Sequence, residues 1–318
     1  MIDFCTSIEM STTMMFRSRY KVAALAGTIA VAVAVLPAVA LSAQASLPVT
    51  PSGWTVAWSD DFKGAAGTGV DTANWLYDTG TSYPGGAANW GTGEVETMTS
   101  STANVFQDGK GNLNIKAIRD TQKNWTSGRI ETQRSDFQPD AGKIMAVEAR
   151  IQMPNVTGSA AQGYWPAFWM LGSPFRGNYT NWPSAGEMDI MENVNGVNTV
   201  WGTLHCGTSP GGPCNETTGL GGSTTCPGAT CQSAFHVYRI EWDRSTAVAQ
   251  IRWYVDGVLY HTVKQTDVDA TTWANATGHG FFIILNVAMG GGWPGRPSGL
   301  TKSGVPMLVD YVAVYKSI

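Results

Sequence analysis

Over most of the chain apolar and polar residues alternate in short runs, separated by clusters of Gly, Asn, Asp and Ser. Half-buried strands joined by turns give this pattern. Residues 54–58 open the series, and Val147-Glu148-Ala149-Arg150-Ile151-Gln152 is its cleanest member, polar on one face and apolar on the other. The same reading predicts strands over 94–99, 112–118, 129–134, 164–171, 187–192, 200–205, 235–242, 281–288 and 307–315. Residues 249–255 meet 258–263 across Asp256-Gly257, a two-residue hairpin signal. After residue 45 no stretch carries a helical period of useful length, and neither a repeat nor a Pro/Thr-rich linker divides the chain. The expected fold is therefore all-β, one domain of two packed antiparallel sheets.

Charge changes the picture at one strand. Charged residues are 14% of the chain, yet Glu187, Asp189 and Glu192 fall together in the otherwise apolar run Glu187-Met188-Asp189-Ile190-Met191-Glu192. Alternation puts Glu187 and Asp189 on one face and turns Met188 and Ile190 into a core. It would also turn Glu192 inward. A β-bulge at Ile190-Met191 restores Glu192 to the acidic face, and bulges are common beside active sites. The competing reading is a solvated acidic face on an edge strand; the absence of interleaved Lys or Arg and the Trp-rich flanks speak against it.

Three carboxylates on one face suit the cleavage of a glycosidic bond, which needs a proton donor and a second carboxylate across the sugar. The two lie about 5–5.5 Å apart in retaining enzymes and about 6.5–9.5 Å apart in inverting ones. Four effective strand steps of roughly 3.3 Å separate the Glu187 and Glu192 backbones by about 13 Å, a gap that two side chains leaning over Asp189 largely close. Crowding keeps one proton on the group to higher pH, as a general acid requires. The expected roles are Glu187 as nucleophile, Glu192 as acid and then base, and Asp189 as the residue that tunes the nucleophile.

Composition sets the context. Arg17, Arg19 and Lys21 precede an apolar run over 22–41, and Ala43-Gln44-Ala45 offers a small-x-small cleavage site. Residues 1–45 are thus expected to be a secretory signal, those before Met14 an upstream start, and 46–318 the exported catalytic domain. An uncleaved membrane anchor is the competing reading. Removing the signal leaves 17 Lys+Arg against 22 Asp+Glu, a balance that disfavours nucleic acid or an anionic membrane as partner and is compatible with a neutral polymer. Four cysteines, Cys206, Cys214, Cys226 and Cys231, share one Gly-rich stretch. Their three pairings are open; two local staples, Cys206–Cys214 and Cys226–Cys231, are preferred because each closes a short loop. A zinc site is disfavoured, since paired C-x-x-C spacing is lacking on both sides.

Thirteen tryptophans are more than a core demands. Trp90, Trp165, Trp169, Trp182 and Trp293 lie beside Gly, Pro or Asn, where loops meet strands, and suit flat platforms for sugar rings; ordinary packing is the alternative, most evenly balanced at Trp169. The four histidines are scattered without H-E-x-x-H spacing, and His205, at the end of the strand after the acids, is the one placed in the groove. Neither a G-x-S-x-G elbow nor a P-loop is present.

Gly186-Glu187-Met188-Asp189-Ile190-Met191-Glu192 resembles the catalytic signature of glycoside hydrolase family 16 in its bulged E-x-D-x-x-E form. The resemblance continues in order through Trp58-Ser59-Asp60-Asp61-Phe62, Ser127-Gly128-Arg129-Ile130, Tyr164-Trp165-Pro166-Ala167-Phe168-Trp169 and Thr203-Leu204-His205. Val255-Asp256-Gly257, Leu285-Asn286-Val287-Ala288, Gly291-Gly292-Trp293 and Val309-Asp310-Tyr311-Val312 complete it. It implies a jelly-roll sandwich with a concave cleft, and retaining, endo-acting cleavage of β-glycans by a monomer. Within the family the likeness is to laminarinase-type endo-1,3-β-glucanases, with Arg129 joining the tryptophans and His205 in binding substrate. No cofactor is implied for the reaction. A structural calcium is, with Asp310 matching a usual ligand and Asp61 nearby. Two stretches depart from the family's pattern, 90–99 and the Cys/Gly-rich insertion 206–231. Both fall near expected sugar-binding positions, so a 1,3-β-galactanase and mixed 1,3/1,4 preference stay open. A lectin-like glycan binder on the same fold is the alternative outside enzymes, and retention of both glutamates weighs against it. A transglycosylase would use the same residues.

Overall fold

The computed structural model describes residues 47–318; the expected signal over 1–45 lies outside them. Among the described residues eighteen strands, β1 to β18 in chain order, form three sheets. The first runs β16 (Val258–Lys264), β15 (Gln250–Val255), β14 (His236–Asp243), β9 (Ile144–Gln152), β18 (Pro306–Ser317), β5 (Leu113–Lys116) and β4 (Val105–Gln107), with β1 (Trp54–Asp60) also paired to β18. The second runs β13 (Leu220–Thr224), β12 (Val200–His205), β11 (Glu187–Glu192), β10 (Tyr164–Gly172), β17 (Phe281–Met289), β8 (Arg129–Thr132) and β2 (Trp75–Tyr77). Both are antiparallel throughout. A small third sheet holds β3 (Glu96–Met98), β7 (Trp125–Ser127) and β6 (Ile118–Arg119).

Period-two patterning explains how the two large sheets meet. In β14, Tyr238, Ile240 and Trp242 are buried while the residues between them are half exposed, and in β15 Ile251, Trp253 and Val255 do the same. From the second sheet Phe168, Met170, Met188, Leu204, Ile283 and Leu285 enter the same core cluster. This is a jelly-roll sandwich, as expected. The Asp256-Gly257 turn also forms as predicted: Val255 pairs directly with Val258, and both turn residues have positive φ, the type I′ geometry that fits strand twist.

Several elements escape the sequence reading, β4 and β7 among them. β2 lies within the Gly/Thr/Asn-rich stretch 64–93, and β13 lies inside the Cys/Gly-rich insertion. A helix, α1 (Ala270–Thr277), forms despite the expectation of none, capped by Asp269, whose carboxylate accepts the Thr271 and Thr272 backbone N–H groups. The two preferred disulfides, Cys206–Cys214 and Cys226–Cys231, both form.

Candidate active site

β11 has neighbours on both sides, which removes the edge-strand reading of its acids. Glu187 stands opposite Leu171 and His205, and Asp189 opposite Trp169 and Thr203. Beyond Asp189 the register slips: Met191 pairs with Phe168, and Glu192 reaches Ala167 and Trp201, leaving Ile190 as the extra residue. This is the predicted bulge. Ile190 and Met191 both turn into the core, at 1% and 0% exposure, while all three acids line one cleft. The facing sheet holds the bulge in place, since the Trp253 indole N–H donates to the Asp189 backbone oxygen at 2.7 Å. At the head of the strand Gly186 adopts φ +73° and lies against the Ala276 carbonyl, an approach that a Cβ would block.

The cleft, about 1410 Å³, crosses the second sheet from the loop after Glu216 to the segment 83–92. All seven expected substrate-binding residues (Trp90, Arg129, Trp165, Trp169, Trp182, His205 and Trp293) line it. Alternation along β10 puts Trp165 and Trp169 on the cleft face and Phe168 and Met170 in the core. Trp165 Nε1–H donates to Glu192 Oε1 at 2.8 Å, and Trp169 Nε1–H to Asn286 Oδ1 at 2.8 Å. Trp293 meets Trp165 and Trp201 edge to face, forming an aromatic wall beside Glu192. Toward the other end, buried Arg129 bonds Asp78 Oδ2 and the Tyr83 hydroxyl, each at 3.0 Å, with its guanidinium 4.4 Å from the Trp90 ring centre and 4.9 Å from that of Trp169. Burial pushes Asp78 up to about 6 against the pull of Arg129. A second cavity, about 360 Å³ beside Pro174 and His279, is lined by no carboxylate.

Electrostatics separate the two glutamates. Burial and the Asp189 charge push Glu187 up to about 8, with His205 and Arg129 pulling the other way. The same two causes drive Glu192 well above the usual carboxylate range, opposed by the Trp165 hydrogen bond. His205 Nε2 lies 3.3 Å from Asp189 Oδ2 and 3.9 Å from Glu187 Oε1. Burial alone would lower its pKa; Asp189 and Glu216 overcome that and push it up to about 12.

Glu216 was not among the expected site residues. Its side chain is fully buried, Oε2 lies 2.7 Å from His205 Nδ1, and Oε1 accepts the Cys206 backbone N–H at 2.8 Å. A sequence signal existed: Glu216 is the sole charged residue in 206–231. Trp201 and Asn286 are further cleft residues that the pattern did not single out.

The calcium pair fits in part. Asp310 Oδ2 accepts Arg150 Nη1–H at 2.5 Å, while Oδ1 is buried without a hydrogen-bond partner, a position for a cation. The Asp61 carboxylate is taken by Lys63 at 2.5 Å and does not fit as a side-chain ligand.

Residues 93–312 match the family model described as glycosyl hydrolases family 16. The chain belongs to this family. A solved family structure, an endo-1,3-β-glucanase from Streptomyces sioyaensis, is 66% identical and superposes with TM-score 0.85 over 86% of this chain and 99% of its own. The β-glucanase of Rhodothermus marinus is 34% identical over 83% of this chain and 85% of its own length. Glucan endo-1,3-β-glucosidase A1 of Niallia circulans is 34% identical over 85% of this chain, which spans only 39% of that longer protein.

Proposed function

We propose that this chain is an endo-acting, retaining β-1,3-glucanase, exported and active on laminarin-type glucan without a catalytic cofactor. The observation that carries the reading is the bulged β11, which brings Glu187, Asp189 and Glu192 to one wall of an aromatic cleft. The 66% identical structure, an endo-1,3-β-glucanase from Streptomyces sioyaensis, supports the substrate class.

In the first step a Glu187 carboxylate oxygen attacks the anomeric carbon while Glu192 gives its proton to the departing glycosidic oxygen. A glycosyl ester on Glu187 results. Glu192, now ionised, then takes a proton from water, whose oxygen attacks the same carbon and releases Glu187. Burial and the Asp189 charge push both glutamates up. Glu192 goes well above the usual range, as a proton donor needs, and Glu187 to about 8, where His205 and Arg129 pull back toward the ionised form that attacks. The tryptophans offer apolar faces for sugar rings, and Arg129 is a fixed donor at the far end of the same cleft.

A structural calcium held through Asp310 Oδ1 is a further part of the proposal, away from the reaction.

The test is to express the full chain, add laminarin, lichenan or 1,3-β-galactan to the culture medium, and follow product sizes. Laminari-oligosaccharides of several lengths in the medium are expected. Monosaccharide alone would overturn endo action, cleavage of galactan alone would overturn the glucan assignment, and activity confined to cells would overturn export. Binding without cleavage would indicate a lectin-like protein. Glu187→Gln and Glu192→Gln should each lower kcat by about 10³-fold or more, and normal turnover in either would overturn the site.

A further inference from the structure

The disulfide-closed loop 206–214 delivers one acid to the back of the catalytic group. Glu216 follows Cys214 by two residues, and its carboxylate spans the backbone N–H of Cys206 and the ring of His205. Gly219 presses against the same imidazole, where a Cβ would collide, and Trp182 covers it at a ring separation of 5.6 Å. The ring is therefore fixed from several directions, with Nε2 aimed at Asp189 and Glu187.

We propose that Glu216 is a positioning residue for catalysis: it holds His205 so that a cationic Nε2–H faces Asp189 at 3.3 Å and Glu187 at 3.9 Å throughout the working pH range. This rests on the glucanase reading above. A carboxylate on Nδ1 makes that nitrogen a donor, so the remaining proton sits on Nε2 and the ring tends to carry both. The imidazolium then places one positive charge beside Asp189 and Glu187, which favours the ionised nucleophile. The groups bearing on this ring and its partners are Glu187, Asp189 and Glu192 from β11, Glu216 from the loop, Arg129 from β8 and the Tyr260 hydroxyl from β16. Among these Glu216 alone contacts Nδ1.

The experiment pairs NMR of ¹⁵N-histidine-labelled full-length protein with kcat and KM profiles for Glu216→Gln and Glu216→Asp on laminarin. In the wild type His205 should stay doubly protonated through pH 9. In Glu216→Gln it should titrate below that, kcat should fall about tenfold or more with KM little changed, and the alkaline limb should move down by about one pH unit or more. Glu216→Asp, which keeps the charge, should restore much of the limb. A loop-anchoring role alone would lower stability without moving the limb. A wild-type His205 that loses its proton near pH 6.5 would overturn the proposal even if the variants do not fold. So would an unchanged alkaline limb in folded Glu216→Gln. A wild type inactive on laminarin would overturn the glucanase reading instead, and the histidine titration would still report on Glu216.

Discussion

Glu187 and Glu192 sit where ionisation is costly, and that cost should be visible as stability. Both have folded-state pKa values above the usual Glu range near 4.3. Between the unfolded value and about 8 for Glu187, the folded state keeps a proton that the unfolded chain has released. Stability therefore falls as pH rises through that window. A glutamine cannot ionise and escapes the penalty. Glu187→Gln should thus melt above wild type at pH 7.5, by on the order of 1–3 kcal/mol, with the gap closing toward pH 4. Melting curves at the two pH values test this; a gap independent of pH would refute it. The substitution that removes turnover should then stabilise the fold, the trade-off expected where a site is strained for function. These acids were legible in the sequence because charge in an apolar strand is rare. Glu216 was harder to see: its partner His205 is eleven residues away, and only the folded loop reveals its burial.

At the scale of elements, β11 could be read because Glu-x-Asp-x-x-Glu misses strict alternation by one residue, and one bulge repairs it. β13 could not. Leu220-Gly221-Gly222-Ser223-Thr224 has no apolar alternation, and pairing with β12 along the cleft edge makes it a strand. Its glycines let the chain lie close to Thr203 and His261, where side chains would intrude. α1 spans eight residues, too short for a helical period to stand out, although its Asp269 cap was present in the sequence. The bulge itself depends on the facing sheet. Trp253→Phe keeps most of the packing of a fully buried ring and deletes the N–H that the Asp189 carbonyl accepts. The expected loss is about 1–3 kcal/mol for a buried acceptor left unmade. A several-fold fall in kcat should accompany it as the bulge loosens between Glu187 and Glu192. Denaturant unfolding and laminarin turnover measure the two effects, and a variant unchanged in both would separate the indole from the site.

Alternation and turn residues disclose the class of the whole molecule but not the order of its strands. β18, the last strand, lies between β9 and β5 and also carries β1, so the first sheet joins strands from the two ends of the described chain. Pairings so distant in sequence leave no local mark, and for this domain only the family likeness pointed to them. Asp310 lies on this strand where its register against β9 slips between Val309 and Tyr311. Arg150 on β9 neutralises one oxygen, and the other is buried without a partner. Calcium bound there would engage the folded chain and not the unfolded one, adding about 2.7 kcal/mol at a hundredfold excess over Kd. For a domain of this size, at about 2.1 cal/mol/K of unfolding entropy per residue, that is a rise of about 5 °C in melting temperature. The expected outcome is a higher Tm in millimolar calcium than in chelator, with the difference abolished by Asp310→Asn and laminarin kcat unaffected at temperatures well below melting. Coincident curves in calcium and chelator would remove the site, and Arg150 would then be the counter-charge of Asp310 among the described residues.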